Sequence, residues 1–247
     1  MIEGLGGRSG PQWERYQRRK RVVDLVLSGG LLALLAPLLA FVGWRIKRED
    51  GGPILYRATR TGKDDVTFQM FKFRTMVMGA DRLGGPSTAD DDPRLTRVGR
   101  RLRRWKIDEL PQLLNVVRGE MSLVGPRPQV PAAVDTYTPT ERLLLTVHPG
   151  MSDWASIRFS DEGGILAGSE DPDLAYERLI RPGKSWLGLA YVREASLRKD
   201  IEVMVKTLTA IVGGRPTIPA APSDAARLLG LPDVDETGSE RAIRTVE

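Results

Sequence analysis

Residues Leu25 to Trp44 read LVLSGGLLALLAPLLAFVGW, a run of twenty without a charge. As a straight helix this length spans a hydrocarbon layer of ~30 Å. A buried soluble helix fits it less well, because the run is apolar all round. A cleaved secretory signal also fits poorly: the run is too long and no clear small-residue cleavage site follows. Two features argue against a plain crossing. Pro37 lacks a backbone N–H and crowds the preceding turn, which kinks a helix. Both flanks are basic, with Arg18, Arg19, Lys20 and Arg21 before the run and Arg45, Lys47 and Arg48 after it. Positive residues favour the cytoplasmic side. A dip that enters and leaves by one face therefore suits the charges, while a single span with a tolerated proline is the competing reading.

Composition removes several classes of chemistry. The 247 residues contain no cysteine, which excludes disulfides, thiolate metal sites and thiol nucleophiles. His148 is the single histidine, so any metal must rest on oxygen ligands, as magnesium, calcium or manganese does. The net charge of +5 suits phosphate-bearing, lipid or nucleic-acid partners without choosing among them. The basic run 94–106 carries no recognised nucleic-acid-binding motif.

Outside the apolar run the pattern predicts short elements. Pro53–Tyr56 and Val66–Arg74 read as strands around a turn at Arg60–Asp64. Residues 78–93 read as a loop, with Asp90, Asp91 and Asp92 a solvated acidic run in preference to a cation site. A helix is expected from about Asp108 to Val117, with Pro111 in its first turn and Gly119 as its stop. Gly125-Pro126-Arg127-Pro128 must be a stiff, non-helical loop. Further helices are expected over Thr140–Val147, near Asp173–Ile180, and over Leu197–Val212. The last has an apolar stripe at Ile201, Val205, Leu208 and Val212 that suits a membrane surface or a core. Residues 1–17 read as a flexible start and 214–247 as a mobile tail, leaving 18–48 as a membrane helix and 49–213 as a globular unit.

Asp108 and Glu109 are adjacent carboxylates at the start of a predicted helix, just after Arg101, Arg103, Arg104 and Lys106. Nearby cations favour ionised carboxylates, and an ionised aspartate can attack phosphorus. Helix capping is the plainer role for the same residues. Lys72, Arg74, Arg103 and Arg127 are candidate phosphate clamps. Arg127 is pre-set between two prolines. His148, before Pro149-Gly150, reads as part of a turn more than as a base.

Several stretches resemble, in order and spacing, the bacterial sugar transferase family, the small monotopic phosphoglycosyl transferases. They include Lys20-Arg21-Val22-Val23-Asp24, Arg60-Thr61-Gly62, Phe71-Lys72-Phe73-Arg74-Thr75-Met76 and Asp92-Pro93-Arg94-Leu95-Thr96-Arg97-Val98-Gly99. The most specific are Ile107 to Val116 (IDELPQLLNV) and Met121 to Pro128 (MSLVGPRP), followed by Pro149-Gly150, Trp154-Ala155 and Tyr191-Val192. The match covers roughly 18–213.

The resemblance implies an α+β, mostly helical fold. It would combine a re-entrant membrane helix broken at Ala36-Pro37, a cytosolic globular domain with a small β-hairpin, and interfacial amphipathic helices. It also implies a cytoplasmic-face, monotopic location in a bacterial inner membrane. The implied reaction moves a phosphosugar from a UDP-sugar to polyprenyl (undecaprenyl) phosphate with release of UMP. Asp108 would be the nucleophile, and Glu109 would help hold Mg2+ beside Asp108 or activate the acceptor. Lys72, Arg103 and Arg127 would bind phosphate. Membrane phospholipid is a further implied partner; a homodimer is allowed but not required, and nucleic acid is not expected. Departures from the family pattern occur at Ala58, at Asp153-Trp154-Ala155-Ser156 and at Glu194, and they leave the sugar open.

Overall fold

The computed structural model describes residues 10–80, 83, 92–169 and 171–231. It is mostly helical. Helix α1 (Pro11–Asp50) begins with proline in its first turn and ends at Gly51, whose left-handed backbone lets its N–H bond the Lys47 carbonyl. Strands β1 (Leu55–Thr61) and β2 (Thr67–Phe73) form an antiparallel hairpin, with Arg57 opposite Phe71 and Tyr56 opposite Lys72. Helices α2 (Arg97–Arg104) and α3 (Gln112–Arg118) follow. Strand β3 (Ser122–Val124) then pairs in parallel with β4 (Gly150–Ser152), across a connection that holds α4 (Pro131–Asp135) and a 3-10 segment, Glu141–Thr146. The remaining helices are α5 (Trp154–Arg158), α6 (Glu162–Leu166), α7 (Pro172–Ala175), α8 (Arg181–Glu194), α9 (Leu197–Ile211) and α10 (Ala225–Leu228). A π-helical stretch, Tyr176–Ile180, joins α7 to α8.

Burial of apolar side chains sets this arrangement. The main core gathers Trp154, Leu187, Tyr191 and Val203 from α5, α8 and α9. A second cluster, Ala58, Phe68, Met70, Val116 and Met121, fastens one face of the hairpin to α3. A third, Val42, Ile46, Phe73 and Leu102, ties the far end of α1 to β2 and α2. The β3–β4 pair is set by close backbone approach. A Cβ on Gly150 would stand 2.0 Å from the Gly125 nitrogen, so only glycine fits there.

Both ends of α1 are bound to this one body. At the first end, the Arg21 guanidinium donates to the carbonyls of Val116 (2.5 Å) and Val117 (2.8 Å), at the C-terminus of α3. The Asp24 carboxylate accepts from the Leu123 N–H (3.1 Å), and Lys20 pairs with the buried Asp200 (3.1 Å). At the other end, Glu49 accepts from the N–H groups of Arg97 and Val98. Asp50 takes a two-pronged bond from Arg74 (2.5 and 2.6 Å). Between the ends Leu25, Val26, Leu27, Leu31, Leu34, Leu38 and Phe41 are all exposed. The helix assignment runs through Ala36 and Pro37 without a gap.

Several expectations shift. The predicted helix at Asp108 begins instead at Gln112. Lys106 adopts a left-handed backbone (φ 54) and Pro111 has no N–H, so Ile107–Glu109 form a separate 3-10 turn. The basic stretch expected to precede that helix contains α2, capped by the Thr96 side chain accepting from the Gly99 N–H. Arg74 is no phosphate clamp: it is buried and spent on Asp50 and the carbonyls of Pro53 and Met76. Of the expected flexible start and tail, residues 1–9 and 232–247 lie outside the described residues, and several of the described ones pack on the body. Trp13 and Tyr16 lie against the main core, as does Ile218, and Leu229 is buried in it. Asp90 and Asp91 lie outside the described residues, while Asp92 pairs with Arg94 (2.6 Å).

Candidate active site

The hairpin, the 3-10 turn and the Gly125–Pro128 loop converge on Glu109. Alternation along β2 turns Lys72 toward the face that packs on α3, where its ammonium donates to Glu109 Oε1 (3.0 Å). Arg127, in the loop after β3, donates from Nη1 to Glu109 Oε2 (3.2 Å) and from Nη2 to Oε1. The Arg127 N–H donates to Asp153 Oδ2 (3.3 Å), and the same carboxylate caps α5 by accepting from the Ser156 N–H (2.6 Å). Asp153, a departure from the family pattern, thus helps to hold the loop.

These neighbours set the charge states. Burial alone would raise the Glu109 carboxyl, but Arg127 and then Lys72 hold it well below the ordinary value of 4.5. Glu109 pushes the Arg127 guanidinium further up. Burial pushes Lys72 down, against the pull of Glu109. Arg60 is lowered by burial and next by Arg127, which places it in the same electrostatic neighbourhood. Its motif was legible in sequence, but its share in this cluster was not.

Asp108 differs from its neighbour. It is buried, and Oδ1 has no hydrogen-bond partner. Burial first, and the Glu109 charge second, raise its carboxyl above 3.8; Lys72, Arg103 and Lys106 oppose this. Arg103 therefore acts on Asp108 from α2. The amide nitrogen of Gln112, one turn on, is also buried without a partner. A buried polar atom without a partner is costly, and a catalytic role or a bound ion is one explanation for it. Among the described residues no three acidic or histidine side chains cluster as a metal site. Asp108, the carboxylate with a free oxygen, could hold a magnesium ion, which would neutralise phosphate charge there. Glu109 fits that role less well, because both its oxygens already accept from cations.

Comparison with known proteins gives the family. Residues 15–214 match the bacterial sugar transferase family. The chain is 40% identical over 200 residues to a UDP-glucose:undecaprenyl-phosphate glucose-1-phosphate transferase of Caulobacter vibrioides, covering 78% of this chain and 70% of that protein. It is 39% identical to an undecaprenyl-phosphate glucose phosphotransferase of Komagataeibacter xylinus, over 80% of this chain and 36% of the relative. It is 33% identical to a UDP-N-acetylgalactosamine-undecaprenyl-phosphate N-acetylgalactosaminephosphotransferase of Aeromonas hydrophila, over 81% and 45%. The chain thus spans less than half the length of the last two. An ordered match over four-fifths of the residues, centred on the Asp108–Glu109 cluster, places this chain in the bacterial sugar transferase family.

Proposed function

We propose that the chain transfers a phosphosugar from a UDP-sugar to undecaprenyl phosphate at the cytoplasmic face of the inner membrane, the first membrane step of glycoconjugate assembly. One observation carries the proposal: a buried, unpartnered Asp108 oxygen stands beside a carboxylate already neutralised by Lys72 and Arg127. Lys72, Arg127, Arg60 and Arg103 outnumber the Asp108 and Glu109 carboxylates, so the basin favours a diphosphate. An Asp108 oxygen attacks the phosphorus that bears the sugar. The bond from that phosphorus to UMP breaks, and UMP leaves. An oxygen of undecaprenyl phosphate then attacks the same phosphorus, the Asp108–phosphorus bond breaks, and the carboxylate is regenerated. Magnesium, when bound, supplies charge neutralisation at the diphosphate. Glu109 positions the two cations that face the phosphates.

The fastening of both α1 flanks to one body supports a re-entrant course with both ends on the cytoplasmic side. A straight crossing would set Asp24 and Val42 about 27 Å apart along the helix axis, on opposite sides of the hydrocarbon. A body that fastens both ends across that layer would have to lie within the hydrocarbon, which its charged surface opposes. Pro37, which cannot bond the Ala33 carbonyl, lies where such a course would bend. The exposed stripe Ile201, Val205, Leu208 and Val212 on α9 supports a helix lying in the interface.

The test is a panel of UDP-sugars with undecaprenyl phosphate and magnesium, reading UMP release and the mass of any aspartyl adduct. Release and an adduct that both vanish in Asp108→Asn are expected. Turnover that survives Asp108→Asn would sink the nucleophile assignment.

A further inference from the structure

A second cavity, of about 740 Å3, lies on the other side of the hairpin from Lys72. Arg57 and Phe71 face each other across the hairpin, on the face opposite Tyr56 and Lys72. The cavity also reaches Arg118, at the far end of α3 from the Asp108–Glu109 turn. Arg118 lies about 9 Å along α3 from Gln112, and the Asp108–Glu109 turn precedes that start. The cavity is therefore separate from the catalytic cluster.

Its chemistry is distinctive. The guanidinium carbons of Arg57 and Arg118 lie 5.8 and 4.7 Å from the centre of the Phe71 ring. Both arginines are exposed, and neither pairs with a carboxylate among the described residues. Lys63 is also in the wall, at 3.9 Å from Asp64. The other acidic wall residue, Glu120, already accepts from Asn115 Nδ2 (2.7 Å). Burial first, then Lys63 and Arg21, push the wall residue His148 below its ordinary value, the sign of a cationic surrounding. Arg21 itself lies against Gly119, with Nη2 at 3.3 Å from where a Cβ would stand. Arg21 is four residues before the first residue of the apolar run. The cavity rim thus sits where α1 enters the lipid.

We propose that this cavity binds a phosphate-bearing anion through Arg57 and Arg118, and that its source is the headgroup of an anionic phospholipid. Attraction to one aromatic ring holds both guanidinium groups at the same wall of the cavity, where each can donate to phosphate oxygens. The phosphate chemistry follows from the cavity alone; the lipid source rests on the re-entrant seating proposed above. The site is distinct from the one that takes substrate.

The full chain, purified in zwitterionic detergent, is examined by native mass spectrometry with added phosphatidylglycerol, phosphatidylcholine or inorganic phosphate. One retained phosphatidylglycerol is expected, in preference to phosphatidylcholine. Retention should weaken about 30-fold in the double variant Arg57→Gln/Arg118→Gln. It should be unchanged in Arg198→Gln/Arg215→Gln, which removes cations elsewhere. UMP release should persist in both, since neither touches the catalytic cluster, and lipid retention can be read even if no sugar donor is turned over. Phosphate binding that is lost in the double variant, without phosphatidylglycerol retention, would overturn the lipid source and uphold the anion site. Equal retention by wild type and the double variant, or equal losses in both variants, would overturn the site itself.

Discussion

Replacing Glu109 by glutamine tests the centre of the cluster most directly. The substitution keeps the shape and removes the one charge that Lys72 and Arg127 share. The side chains of Glu109, Lys72 and Arg127 are 19%, 20% and 28% exposed, so the pair of cations is left mostly out of water with no counter-charge. Breaking a buried ion pair costs about 3–5 kcal/mol, and the residual exposure puts this case near the lower edge, about 3 kcal/mol. For a chain of this size that is a fall of about 6–12 °C in Tm. The pH dependence carries more information. Glu109 titrates below 4.5 when folded, so its contribution is complete above 4.5 and is lost as pH falls through the folded value. The variant lacks that loss, and the two proteins converge in acid. At the other end, burial already favours neutral Lys72, and the variant removes the charge that opposes this. Its deficit therefore shrinks again as pH rises toward 10.5. Thermal unfolding of both proteins in the same detergent, from about pH 2 to about pH 10, should show a deficit that shrinks at both the acid and the alkaline end. A deficit that is absent, or flat across pH, would refute the shared-cation account.

Three further outcomes follow from particular contacts. Asp108→Asn should abolish UMP release yet unfold no lower than wild type at pH 7. A carboxyl raised by burial stabilises the fold only while protonated, so the neutral amide gains relative to it as pH rises, a trend that thermal scans at pH 4 and pH 7 would reveal. Asp24→Ala should cost about 2 kcal/mol by leaving the Leu123 N–H without its acceptor, whereas Asp24→Asn, which can still accept, should cost less in denaturant titration. Gly150→Ala should cost about 3 kcal/mol or more, because the new Cβ meets backbone that cannot rotate away; a soluble, stable variant would contradict the close β3–β4 approach.

Local patterns carried the parts of the fold that local forces decide. The hairpin showed in the β-forming residues of β2, the end of α3 in Gly119, and α9 in its apolar spacing. Helix α2 was hidden because five of its eight residues are arginine, leaving Leu102 nearly alone as a core signal. Helix α8 was obscured by Pro182-Gly183, although proline is tolerated in a first turn. The site divided in the same way. Asp108, Glu109, Lys72 and Arg127 could be nominated from residue type and resemblance. That Glu109 is the hub binding the two cations could not, since its partners lie 37 and 18 residues away. The diversion of Arg74 to Asp50, 24 residues upstream, was invisible for the same reason.

The clasp at the first end of α1 has a consequence for how the molecule is made. Arg21 reaches 95 residues forward to Val116, Asp24 reaches 99 to Leu123, and Tyr16 reaches 184 to Asp200. None of these contacts can form until Val116, Leu123 and Asp200 have been made, well after the apolar run. During that interval the body that clasps α1 is not yet there to hold Leu25 to Trp44, and burial in lipid is favourable for so apolar a run. On the re-entrant course proposed above, the run would enter the bilayer before these contacts fix its two ends, and its orientation would be decided late, when the folded body closes on both flanks.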